Sequence, residues 1–468
     1  MIKNLLLSGA ILSAPALMVN AEPKVYTTDD LAQEIHVSLN GKYVAMGDYE
    51  QNLSYIWNID DPETFQALPG ESVAYEVAND GTVVGYIKQP GGVYRPCVLE
   101  NGEWTLLPCH PAVANTAEAN CITPDGKIIA GTQFINDPTS EIKGRYYPCI
   151  WKKNDDGRWT LIDYSYIKLP DHQGFLTKCL YVNGDDIIIG GRLYCGIGSE
   201  VPALIVNGEL KFWNEISTYS EPLIYRGQYG AYDENGKQYF TDDPNDPNIF
   251  YYDYSTVDGY RDGETGEYFA GEFSTVDAQG NFYGYRTRAF NVKEDGSGDL
   301  ENGATIYNYG KDEWTDNTGF TNFAIGLGNA DIVFANGGSM LVNGEKKEIT
   351  EELGFTTDRI FTFVRSVSSD GKVLGINTAE LNEGTGEYQY FPAIVVLDEP
   401  LVAGIDNVIG ADGVTIIVSE GRIDVAGAAS VAVYDLNGRK VSSSATAHVV
   451  SGVYVVKADD VVKKVLVK

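Results

Sequence analysis

Few side chains in this chain stand in arrangements that do chemistry. The densest polar loop runs from Thr241 to Asn248, where Asp242, Asp243, Asn245 and Asp246 offer oxygen ligands within five positions. Hard cations such as calcium prefer crowded oxygen donors, so calcium is the one cofactor this loop suggests, although its spacing is not that of an EF-hand and acidic loops are ordinarily just solvated. Asp295-Gly296-Ser297-Gly298-Asp299 offers fewer donors still. His36, His110, His172 and His448 fall at unrelated points of the chain and read as structural or surface residues. There is no Gly-x-Ser-x-Gly elbow, no phosphate-binding glycine loop and no His-Glu-x-x-His. Six cysteines (Cys97, Cys109, Cys121, Cys149, Cys179 and Cys195) contain no Cys-x-x-Cys pair, which argues against zinc. Disulfides remain open, because an even number invites pairing while a chain this long can bury a core without them. No catalytic residue is assigned. With 66 acidic residues, some pair of carboxylates will meet at glycosidase separation, and the sequence does not say which.

The elements that would position such groups are strands. A turn of Asp or Asn with Gly precedes a short β-branched run that often ends in another Gly: Asn40-Gly41, Asp80-Gly81, Asp125-Gly126 and Asp370-Gly371 are the clearest copies. Weaker copies place marker glycines at 184, 236, 280 and 328, so the pattern returns at 40 to 58 residues. A second strand pair follows each copy, as in Pro96-Cys97-Val98-Leu99 with Asn101-Gly102, or Pro148-Cys149-Ile150-Trp151 with Asp156-Gly157. Asn-Gly and Asp-Gly supply the positive backbone angles of tight hairpins, so each repeat reads as four short strands. A four-stranded sheet apolar on both faces must be covered by its neighbours, and a ring of blades does this. The expected fold is all-β: a β-propeller followed by a small C-terminal β-sandwich. Only three strands of the last repeat are visible before Pro400, and Lys24-Val25-Tyr26-Thr27 is the candidate for the fourth. The marker count favours eight blades, with seven as the alternative. The one helix candidate is Glu348 to Leu353.

Three segments follow from composition. Residues 1–21 carry Lys3, an apolar stretch from Leu5 to Val19 and small residues before Glu22, the form of a secretory signal cleaved between Ala21 and Glu22. Residues 22–400 form the propeller, and 401–468 the tail. The formal charge of −32 belongs to residues 1–400, because 401–468 holds seven basic and seven acidic residues. Such acidity repels phosphates and anionic lipid, so neither nucleic acid nor a membrane surface is an expected partner, and no membrane span is expected.

Two resemblances follow from these residues. The Gly-marked strand of Asp125 to Gly131, followed by Cys149 to Trp151, resembles HAF-type extracellular repeats and, more loosely, kelch blades, with Gly190-Gly191 and Gly337-Gly338 similar to the kelch double glycine. In the tail, Val433-Tyr434-Asp435-Leu436-Asn437-Gly438-Arg439, then Gly452-Val453-Tyr454, then Lys463-Lys464 near the end resemble the C-terminal sorting domain of the type IX secretion system. That likeness implies recognition by outer-membrane secretion machinery through Tyr434, Asp435, Asn437, Gly438, Arg439, Gly452, Tyr454, Lys463 and Lys464. The Tyr-Pro-Asn-Pro run that opens such domains is replaced by Gly404 to Ile409. The expected location is the cell surface or the medium, with the periplasm as alternative.

The expected function is binding of a glycan, peptide or host protein without catalysis. The alternative is a carbohydrate-active hydrolase or lyase with carboxylates at the axis. Thirty-one tyrosines suit sugar rings as well as they fill gaps between blades. Three or more converging charged side chains on the axis favour the enzyme.

Overall fold

The computed structural model describes residues 23–467 apart from 31, 62–64, 137–143, 168–173, 195–199, 213–218, 223–227, 233–237, 242–248, 254–259, 263–267, 291–298, 402–414 and a few isolated positions. Almost every described element is a strand. The one helical turn, Ile349–Leu353, ends at Gly354 with φ +68°. No described helix is long and apolar enough to cross a membrane.

Among the described residues before Leu401, seven four-stranded antiparallel units form. Their first strands are Glu34–Val37, Ser72–Val77, Val113–Ile122, Gly174–Asn183, Tyr268–Val276, Phe323–Leu327 and Ile360–Val367, which define blades 1 to 7. Each first strand contacts the first strand of the next blade, and blade 7 contacts blade 1, so the ring closes. The protein is a β-propeller. Its closing strand is the one anticipated: Lys24–Thr27 pairs antiparallel with Tyr388–Val396, with Lys24 opposite Val396 and Thr27 opposite Ala393. Val25 thereby joins the core of blade 7, and Tyr26 meets Trp57 of blade 1 edge to face at 5.0 Å.

The ring has seven described blades rather than the favoured eight. The extra marker, Asn235-Gly236, lies outside the described residues. It falls between Gln228–Tyr232 and Gln238–Thr241, which pair with each other and, through the first, with Ile249–Asp253 in a separate three-stranded sheet. This sheet belongs to an insertion ahead of blade 5. Two further strands of that insertion, Tyr219–Pro222 and Tyr260–Asp262, extend the sheet of blade 5 beyond its first strand. A turn signal counts hairpins, and a hairpin outside the ring carries the same signal as a blade. The two double glycines are also inequivalent: Gly190-Gly191 sits in the second strand of blade 4, whereas Gly337-Gly338 makes a positive-φ turn in blade 6.

The marker turns are built alike. Ser38, Thr123 and Ser368 hydroxyls donate to Asn40, Asp125 and Asp370, and accept the backbone N–H of Tyr43, Ile128 and Val373, which fixes the turn in the sense of an Asx or ST motif. Neighbouring turns bond in series: Ser369 N to Leu39 O, Asn40 N to Asn79 Oδ1, Asn79 N to Pro124 O.

The glycine that ends the β-branched run has a different cause. Six of the seven first strands carry a one-residue bulge against the second strand. In blade 2, Ala74 pairs with Gly85 and Glu76 with Val84, so Tyr75 is skipped. Asn120, Lys178, Ser274, Ala324 and Arg365 are skipped in the same way in blades 3 to 7. A bulge bends its strand and tips the preceding peptide. A Cβ on Gly85, Gly131, Gly191 or Gly284 would stand 1.9, 2.1, 2.0 or 1.9 Å from the carbonyl oxygen of Val73, Glu118, Leu176 or Glu272. Each of these oxygens lies two residues ahead of the skipped position.

Between blades, apolar side chains interdigitate. Trp151 is fully buried and donates from Nε1 to Pro108 O at 2.7 Å, while Trp104 Nε1 reaches Pro69 O at 2.9 Å. Cys97, Cys109, Cys121, Cys149 and Cys179 are free, four of them buried among these faces; Cys195 lies outside the described residues. Leu401 packs in the core of blade 7 with Leu327 and Leu397. Beyond it, Thr415–Ser419, Arg422–Ala426 and Thr446–His448 form one antiparallel sheet. Val431–Asp435, Lys440–Ser442, Gly452–Ala458 and Val461–Val467 form a second. Both contribute to one core around Ile423, Val433 and Val456, compatible with the small sandwich expected.

Gly131→Ala is expected to cost about 3 kcal/mol or more, since the new methyl meets backbone that cannot yield. Gly102→Ala, at φ +83° in an exposed turn with no atom within 4 Å, should cost only about 1 kcal/mol. Urea denaturation of the two variants checks the difference, and equal losses would remove the bulge from the account.

Candidate functional site

The first strands surround the axis, and alternation along each sends one set of side chains into the blade and the other toward the axis. In blade 3, Ala117, Ala119 and Cys121 are buried while Thr116, Glu118 and Asn120 are half-buried. The bulge then adds a residue to the axial set. Those extra positions carry Tyr75, Asn120, Lys178, Ser274 and Arg365, all polar except Ala324 of blade 6.

Charged groups converge there. Arg365 Nη2 lies 2.6 Å from both carboxylate oxygens of Glu34, across the junction of blades 7 and 1. His36 Nε2 lies 3.3 Å from Glu34 Oε2. Glu76 Oε2 accepts the backbone N–H of Ile122 at 2.7 Å, joining blades 2 and 3, and Tyr75 and Glu118 influence each other electrostatically across the same boundary. Asn120 Nδ2 donates to Glu118 Oε2 at 3.4 Å. Arg192 Nη1 reaches Glu272 Oε2 at 2.7 Å between blades 4 and 5, and Ser274 Oγ donates to Glu272 Oε1 at 3.2 Å.

The environment splits these carboxyls. Burial pushes Glu34 upward, but the Arg365 guanidinium and His36 overcome it and hold the group far below the usual carboxylate range. At Glu76 burial prevails and lifts the carboxyl to about 7, against the opposing pull of His36 and the Ile122 N–H. Burial also raises Glu118, with Asn120, Lys178 and Tyr75 resisting and Glu34 adding to the rise. Perturbed groups gathered in a concave place mark a functional-site candidate.

A cavity of about 350 Å³ opens between blades 3 and 4. It lies at the small end of the range of ligand pockets, about 300 to 1,000 Å³. Thr116, Glu118, Asn120, Tyr146, Lys178 and Arg192 line it with Leu176. Asn120 Oδ1 is buried and accepts no hydrogen bond from the described residues. A second cleft, about 380 Å³, lies where the closing strand meets blade 1 and is lined by Val25, Met46, Trp57 and Ile394 among others. Its lining holds no carboxylate, amine, guanidinium or imidazole.

The residues singled out in the sequence lie elsewhere. Asp242, Asp243, Asn245 and Asp246 lie outside the described residues, as do Ala21, Glu22, Asn437 and Gly438. In the tail, Arg439 Nε reaches Asp435 Oδ2 at 3.1 Å, and Tyr454 OH donates to Val450 O at 2.8 Å. Tyr434 pairs with Val455, Gly452 with Val467, and Lys463 and Lys464 with Val456 and Val455. These residues thus share one sheet, apart from the axial cluster. Sequence reasoning read the axial His36 as structural or surface and missed the other axial residues, although a signal existed. The skipped residue stands six places ahead of the marker glycine in five blades: 75 and 81, 120 and 126, 178 and 184, 274 and 280, 365 and 371.

The Glu76 carboxyl generates a pH prediction. Its folded value of about 7 exceeds the ordinary 4.5, so the folded state holds the proton more tightly. The stabilisation is complete below about pH 4.5 and is lost as pH rises through about 7, by roughly 3 kcal/mol at most. Urea denaturation between pH 4.5 and 7.5 should show the unaltered protein losing stability relative to Glu76→Gln. Parallel curves would exclude the buried proton.

No protein-family model matches the chain, and no curated protein matches it in sequence. Solved structures do. The β-propeller domain of the Trilobed protease from Pyrococcus furiosus, described as having an open velcro topology, is 10% identical at a TM-score of 0.40, covering 78% of this chain and 95% of that one. A polysaccharide lyase is 11% identical at a TM-score of 0.39, with 79% and 90% covered. A glycoside hydrolase is 11% identical at a TM-score of 0.25, with 81% and 91% covered.

Proposed function

We propose that the protein is an exported propeller that binds a glycan in the axial pocket between blades 3 and 4 and releases it unchanged. The observation that carries this reading is Asn120 Oδ1, a buried acceptor in the wall of a polar pocket with no donor among the described residues. A buried polar group left unpaired costs about 1–3 kcal/mol, and a ligand hydroxyl satisfies it. Thr116 adds a hydroxyl, and Leu176 offers an apolar patch for the C–H face of a sugar ring.

A second reading, cleavage of the glycan, draws on the divided carboxyls. Glu34 is held ionised while Glu76 and Glu118 are pushed toward the protonated form, and such a division sets an acid beside a base. Several charged groups do converge on the axis, which was the stated criterion for an enzyme. Most are engaged with one another across blade boundaries, which favours retention over turnover.

The leader at 1–21 and the tail support export and a place at the cell surface. The Asp435–Arg439 pair and the strand Val461–Val467 are the tail features we assign to type IX sorting, and the Gly-ended second strands support kinship with HAF-type repeats.

The purified mature protein, screened on a glycan array while the same glycans are assayed for new reducing ends, should retain at least one glycan and cut none. Glu118→Gln, which keeps the hydrogen-bonding shape, should change affinity by less than about tenfold if the group only binds, whereas Asn120→Leu should lose roughly tenfold or more. An empty array sinks the proposal, and product release replaces it with the second reading. Removing residues 402–468 in the native host should leave the protein in the periplasm by fractionation. Unchanged surface display would end the sorting assignment.

A further inference from the structure

Lys178 is the skipped residue of blade 4, and the bulge sets its side chain in the pocket wall. It is exposed and makes no ion pair among the described residues. The other charges at this site are accounted for. Arg192 is neutralised by Glu272 at 2.7 Å. Glu118 is flanked by Asn120 Nδ2 and the Tyr75 hydroxyl, and burial shifts its carboxyl toward the neutral form. What remains is one positive charge in a concave site of a chain whose formal charge is −32.

The neutral groups divide in the same manner. Thr177 Oγ1 donates to Gly131 O at 2.8 Å, and Thr132 Oγ1 accepts from Thr177 N at 3.0 Å, so both hydroxyl oxygens take part in joining the blades. Asn120 has spent its amide nitrogen on Glu118 and keeps its buried oxygen. The groups best placed to meet a ligand are the Lys178 ammonium, the Asn120 oxygen and the Thr116 hydroxyl, beside the apolar face of Leu176. They ask for an anion and a hydroxyl donor on one small ring.

Resting on the glycan-binding reading above, we infer that the pocket selects saccharides bearing a carboxylate, that is, hexuronate units, with Lys178 holding the carboxylate and Asn120 Oδ1 accepting a ring hydroxyl. A compact ammonium on a flexible stem suits a carboxylate whose orientation varies with linkage. Lys178 is then the residue that separates acidic from neutral sugars, and Asn120 contributes to both.

The test is calorimetric binding of the full mature chain to a panel of uronic-acid oligosaccharides and their neutral counterparts of the same linkage and length. The acidic member of a pair should bind roughly 10- to 100-fold tighter, the range of a charge-assisted hydrogen bond. Lys178→Met should abolish that ratio by weakening the acidic member more than the neutral one, and Lys178→Arg should restore part of it. Asn120→Leu should weaken both members and preserve the ratio. Equal binding of acidic and neutral members, or a preference that survives Lys178→Met, overturns the hexuronate assignment and leaves glycan binding standing. No binding by any member, with an empty glycan array, removes both. Lys178 is exposed, so its variants are expected to fold, and coincident urea transitions confirm it.

Discussion

In four blades a carbonyl oxygen of the first strand presses against a second-strand glycine so closely that no side chain fits between them. The contact exists because the first strand holds one residue more than its partner can pair with, and the surplus is absorbed by tipping a peptide. Two consequences follow. Glycine is required at a fixed place in the second strand, which gives the chain its recurring sequence mark. The surplus residue is displaced from the ladder toward the axis, which gives the ring a set of polar side chains its hydrogen-bonded strands alone would not supply.

Those side chains serve the ring before they serve a ligand. Arg365 with Glu34 ties blade 7 to blade 1, Glu76 with Ile122 N ties blade 2 to blade 3, and Arg192 with Glu272 ties blade 4 to blade 5. Hydroxyls assist: Ser366 Oγ bridges Val37 N and Ile35 O, and Thr275 Oγ1 donates to Ala324 O. Pairing groups this deep offsets the cost of removing them from water more than it adds net stability. Where every partner is found, the axis is structural. Between blades 3 and 4 the partners run out, at Lys178 and Asn120 Oδ1, and there the axis can address another molecule.

The sequence revealed what local backbone geometry enforces. Asp-Gly and Asn-Gly turns located the hairpins, the missing fourth strand of the last repeat pointed to Lys24–Thr27, and the helical turn before Gly354 was placed within one residue. Seven blades are described where the turn count favoured eight, because the strands on either side of the marker Asn235-Gly236 pair in a separate sheet, and turn chemistry is blind to what a hairpin packs against. The axial site was hidden for another reason. Glu34, Glu118 and Arg365 are unremarkable charged residues in short strands, and only closure of the ring brings distant segments into one polar cluster. Period-two alternation breaks at each bulge, so a search for polar faces loses register at the position that matters.

The pairing of Lys24 with Val396 spans nearly the whole propeller. A nascent chain therefore carries its clasp from the start but has nothing to fasten it to until the final blade has been made. Until then blades 1 and 7 each present an uncovered flank, and the axial cluster lacks its Glu34–Arg365 member. The Glu34–Arg365 link is consequently made only once the last blade is in place, whereas the pocket between blades 3 and 4 draws its lining from neither residue.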